Sequence, residues 1–158
     1  MTATIDLAPA SVELTNKGLI SDELWTRLTN RIVKDEEGMT IALAERVMDQ
    51  ALGFLRLCAE KPGNHSPSSM VDIGWHTFIL YTRDYAKFCE RVAGRFIHHN
   101  PFDEKGVDYG TGHVARTLAA MKQHGIAVDV ALWASVHEDC DGEGGDGPSA
   151  CDGDGNCG

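Results

Sequence analysis

The reactive side chains of this sequence gather around one aromatic-imidazole pair, Trp75-His76, with Asp72 four residues before the histidine and His98-His99 further on. Four residues make about one helical turn, so on a helix the Asp72 carboxylate stands beside the His76 imidazole. A carboxylate in that place can bind a metal with the ring, orient a metal-bound ring, or fix the tautomer of a general base. The same pair also satisfies a histidine at the edge of a core. His98 and His99 are adjacent, and in an extended segment neighbouring side chains point to opposite sides. Only one of them can face the helix that carries His76, and the other faces solvent or the C-terminal segment.

The five cysteines divide into two groups. Cys58 and Cys89 fall on apolar stripes, where a thiol behaves as a small hydrophobe. Cys89 shares its stripe with Trp75 and is therefore also a candidate ligand. Cys140, Cys151 and Cys157 lie in the C-terminal run without the paired spacing of a zinc ribbon. They read as ligands, as a disulfide pair with one thiol, or as passive members of a flexible tail. Asp139 to Gly144 resembles half a calcium loop, but Ala150 stands where the bidentate Glu belongs. There is no P-loop or G-x-S-x-G motif, and the G-x-G-x-x-G matches at Gly142 to Gly147 and Gly153 to Gly158 fall in the acidic tail rather than between a strand and a helix, so nucleotide cofactors and serine hydrolysis lack their usual support.

The elements that must position these groups are helices. Met1 to Gly18 has no sustained period and reads as an extended arm. Ser21 is placed to cap a helix in which Leu24, Leu28 and Ile32 recur every four residues, as far as Gly38. Thr40 to Glu60 carries a wide apolar stripe of Ile41, Ala44, Val47, Met48, Ala51, Leu55 and Cys58, and stops at Pro62-Gly63. A further helix starts near Ser66-Pro67-Ser68. It runs through Val71, Trp75, Phe78, Thr82, Tyr85 and Cys89 to Gly94. Phe96 to Pro101 reads as extended and Phe102 to Gly112 as a loop. Val114, Leu118 and Met121 mark a helix closed by Gly125, and Asp129 is placed to cap a short last one through Leu132, Trp133 and Val136. The fold class is all-α, an irregular bundle of about five helices. It spans residues 19–137, between the arm at 1–18 and a tail at 138–158.

The 158 residues carry a net charge of -10. Seven acids and no bases lie from Glu138 onward, leaving 17 acids against 14 bases elsewhere. A Gly/Asp/Cys segment of that kind buries too little apolar surface to offset its ordering entropy, and is expected to be disordered. The acidic balance argues against nucleic acid and against an anionic membrane surface. No apolar run approaches the length of a membrane span, and Met1 to Leu14 lacks the basic start and apolar core of a signal peptide. The expected compartment is the cytoplasm, with the cysteines mostly as thiols.

Two stretches carry a resemblance. One is Ser66-Pro67 followed by Val71-Asp72 and Trp75-His76. The other is Phe88-Cys89 followed by Gly94-Arg95-Phe96-Ile97-His98-His99 and Pro101. Together they resemble bacterial glycine-rich domain-containing proteins, related to a module of plant glycine-rich domain proteins, over roughly residues 40 to 137. That resemblance implies that Asp72, His76, His98 and His99 do more than pack, and it brings no catalytic residue list.

The leading expectation is a metal-binding helical protein with ligands drawn from Asp72, His76, Cys89, His98 and His99. Zinc is the first metal in view, copper or iron the next. One alternative is a non-enzymatic module presenting Trp75, Tyr81 and Phe96 to a protein or peptide. Another is a biosynthetic accessory role for the Cys-containing tail. Enzymatic activity is left open.

Overall fold

A computed structural model describes residues 13–100 and 112–134. Residues 1–12, 101–111 and 135–158 lie outside the described residues, and with them most of the expected arm at 1–18, most of the expected loop from Phe102 to Gly112 and the tail with its three cysteines. A 3-10 turn, Lys17–Leu19, is followed by six helices: α1 Asp22–Asp35, α2 Ile41–Glu60, α3 Ser69–Leu80, α4 Thr82–Ala93, α5 His113–Gln123 and α6 Val130–Trp133. There is no strand among the described residues, and no described helix is long and apolar enough to cross a membrane. The all-α bundle expected from periodicity is present.

Side-chain caps set the helix starts. The hydroxyls of Ser21, Thr40 and Ser68 accept from the backbone N–H of Leu24, Leu43 and Val71, each at 3.2 Å. α2 is the central element, packed against α1, α3, α4 and α5. From Val47 to Leu55 every residue of α2 is buried. A one-sided apolar stripe understates such a helix, because neighbours cover it all round. Its first turn is the exception, since Ile41 is exposed.

The sequence pattern from Ser66 to Gly94 predicts one helix, and the structure divides it at Tyr81, whose ψ of 62° leaves the helical region. The reason is visible in Phe78, whose ring centre lies 5.2 Å from those of both Tyr85 and Phe88. On a straight helix ten residues advance about 15 Å, so Phe78 and Phe88 meet only where the chain bends. The apolar pattern persists across the break because both helices bury the same cluster.

The C-terminal segment docks on α2 through polar groups. Gln50 Oε1 accepts from Asp129 N at 3.0 Å and Trp133 Nε1 at 2.8 Å, while its Nε2 donates to Ala127 O at 3.1 Å. Asp129, expected as a helix cap, makes no side-chain cap. Its buried carboxylate instead takes Arg46 in a two-point contact, at 2.7 and 3.0 Å. A bidentate guanidinium outweighs a single backbone N–H for that carboxylate.

Candidate metal centre

Asp72 and His76 come from successive turns of α3. The helix begins at Ser68, whose hydroxyl also donates to Leu132 O at 2.7 Å and so ties this end of α3 to α6. Asp72 lies in the first turn, where the helix dipole favours an anion. Trp75 points inward and is fully buried against Phe54, with ring centres 5.1 Å apart. It therefore cannot be presented to a partner, as the interaction-module expectation requires. His76 stands one position round the helix, with its side chain 59% exposed.

His99 arrives from the other direction. Gly94, at φ +67°, ends α4 in the left-handed conformation and turns the chain back. From there side chains alternate. Ile97 enters the core, Phe96 and His98 lie on the exposed side with rings 4.6 Å apart, and His99 faces α3. The His99 ring lies 4.2 Å from Trp75 and 4.1 Å from His76, centre to centre.

The Asp72 carboxylate sits between the two imidazoles. His99 Nε2 is 2.9 Å from Oδ1, and His76 Nδ1 is 2.9 Å from Oδ2 and 3.1 Å from the Asp72 carbonyl oxygen. A carboxylate has no proton to give, so both ring nitrogens donate. Burial pushes the Asp72 carboxyl up, but the hydrogen bonds from His76 and His99, with their charges, more than offset it and hold the group below the usual carboxylate range. One donor atom from each of the three residues lies within 4.8 Å of the others. Among the described residues this is the group with the composition and spacing to hold a metal ion.

Of the five residues singled out from sequence, Asp72, His76 and His99 come together. His98 is exposed and packs edge-on against Phe96. Cys89 is a buried free thiol in α4, raised by burial and bonded with Ile97 and Tyr85 rather than with the imidazoles. Cys58, expected to be a packed thiol, is buried and disulfide-bonded. The sequence reading placed Tyr85 on the buried stripe without seeing its part. Tyr85 Oη accepts from Trp75 Nε1 at 2.9 Å and donates to Ile97 O at 2.5 Å. A buried phenol needs such partners, which was the available signal.

Two nitrogens and one oxygen suit a divalent first-row ion, and two donors on an ion with bonds near 2.0–2.2 Å lie about 3 Å apart. A cation seated there would take the place of the two N–H protons, and each ring would then carry its proton on the other nitrogen.

A family model described as UCP032817-like matches residues 16–106. No curated protein and no solved structure matches. The match corrects the resemblance to glycine-rich domain-containing proteins, for no glycine-rich domain family is found. The motifs that carried that resemblance, from Ser66 to Pro101, fall inside the matched span, whereas the Gly-rich segment after Glu138 lies outside it.

Proposed function

We propose that this chain, which belongs to the UCP032817-like family, binds one divalent transition-metal ion through Asp72, His76 and His99. The observation that carries the reading is the Asp72 carboxylate, 2.9 Å from a ring nitrogen on each side and mostly buried. Zinc fits first, because a two-imidazole, one-carboxylate set is a common three-residue environment for it, and copper or iron follow. The two imidazoles come from separate segments, so the site exists only in the folded chain and ion binding should add to folding stability.

The test is direct. Full-length protein is stripped of metal, titrated separately with Zn(II), Cu(II) and Fe(II) and dialysed, and its metal content is measured. Wild type should retain about one equivalent. His99→Ala should bind more weakly by on the order of 100-fold or more, since losing a ligand costs no less than losing an outer hydrogen-bond partner. Wild type that retains no zinc, copper or iron, or a His99→Ala variant that retains as much as wild type, overturns the reading.

A further inference from the structure

His99 sits on an irregular segment, yet a metal site requires its ring to be held in place. Three contacts close a circuit around it. The Trp75 ring forms a wall 4.2 Å from His99. The Trp75 indole N–H donates to Tyr85 Oη at 2.9 Å, and the Tyr85 hydroxyl donates to Ile97 O at 2.5 Å, two residues before His99. Each end of this circuit adjoins a donor residue: Trp75 directly precedes His76, and Ile97 leads into His99. The phenol oxygen accepts from the indole and donates to the carbonyl, with the Cys89 thiol bonded to the same hydroxyl. Phe78 and Phe96, each with its ring centre 5.2 Å from that of Tyr85, fix the tyrosine ring itself.

We infer that Tyr85 and Trp75 are positioning residues of the metal site. They lock the segment carrying His99 against α3 so that its imidazole is set before the ion arrives. This rests on the metal-binding reading above. An ion entering a pre-set site orders fewer side chains, which raises affinity.

Tyr85→Phe keeps the ring and removes the hydroxyl, so it is the informative variant. The probe is Cu(II), because its paramagnetic resonance spectrum counts coordinated imidazole nitrogens. Tyr85→Phe should bind Cu(II) about 10-fold more weakly, within the range expected when an outer partner of a metal ligand is lost. Its spectrum should shift toward that of His99→Ala, with one imidazole fewer. Ile32→Val, a core packing change on α1 that removes none of these hydrogen bonds, should keep wild-type affinity and both nitrogens. If Tyr85→Phe does not fold, hydrogen exchange of wild type decides. Zn(II) should slow exchange of the Trp75 indole N–H more than that of Trp133, which is held by Gln50. Wild-type affinity with both nitrogens in Tyr85→Phe, or equal slowing at the two indoles, overturns the positioning role while leaving the metal site standing. Wild type that binds neither Cu(II) nor Zn(II) ends the metal reading itself.

Discussion

At the residue scale, burial and hydrogen bonding pull against each other, and the balance differs from site to site. At Asp72 the two imidazole partners win and the carboxyl lies low. At Asp49 burial wins, although Asn16 and Lys17 donate backbone N–H groups to it at 2.7 and 3.0 Å, and the carboxyl is raised. His65 is a third case. Its Nε2 donates to Lys61 O at 2.7 Å, and burial lowers its pKa below the ordinary 6.5. The folded state therefore favours the neutral ring. The stability this provides is complete above pH 6.5 and is lost as pH falls from there through the lowered folded value. His65→Gln retains an N–H donor without a titration. Chemical denaturation of wild type and His65→Gln between pH 7 and pH 5 should show the variant losing less stability on acidification. Parallel profiles would mean that burial does not shift this histidine.

At the element scale, the donors depend on how closely α3 lies on α2. Gly74 is the contact point. A Cβ there would stand 2.8 Å from Ala51 Cβ and 3.2 Å from Val47 O, closer than packed atoms tolerate. Helix propensity alone makes Gly→Ala favourable by roughly 0.5–1 kcal/mol, whereas overpacking costs about 1–3 kcal/mol. The second effect prevails, so Gly74→Ala should be net destabilising by about 1 kcal/mol in urea denaturation. It should also weaken metal binding, since Asp72 and His76 flank the displaced turn. A neutral or stabilising result would show that α3 moves aside freely. The cap at Ser21 was legible because capping is a local interaction, whereas Thr40 and Ser68 were read only as the places where helices begin. The break at Tyr81 was not, because it answers to where Phe88 must go rather than to any nearby Pro or Gly.

At the scale of the whole molecule, polar bonds join distant segments to α2. Gln50 alone holds three groups of the C-terminal segment. Gln50→Leu fills similar space but leaves the Asp129 N–H, the Trp133 indole N–H and the Ala127 carbonyl without that partner. Each buried polar group left unsatisfied costs about 1–3 kcal/mol, and the Asp129 and Trp133 N–H groups are the two buried ones, so the variant should lose at least about 2 kcal/mol in a denaturant melt. A loss under about 1 kcal/mol would mean that water replaces the amide. Ser68 donates to Leu132 O, so loosening this segment should also free the start of α3 and weaken zinc binding.

The sequence by itself determined the helical class, most helix bounds, and the local pairing of Asp72 with His76, because periodicity, caps and one-turn spacing are short-range properties of the chain. The alternation along Phe96 to His99 limited the choice to one histidine of the adjacent pair. Only tertiary structure decided that it is His99, that His98 packs edge-on against Phe96 instead, and that Cys89 is bonded elsewhere. Those outcomes turn on the angle at which the chain leaves Gly94 and on the Tyr85 and Trp75 bonds that hold it there. Such contacts join residues ten or more apart and leave no period in the sequence.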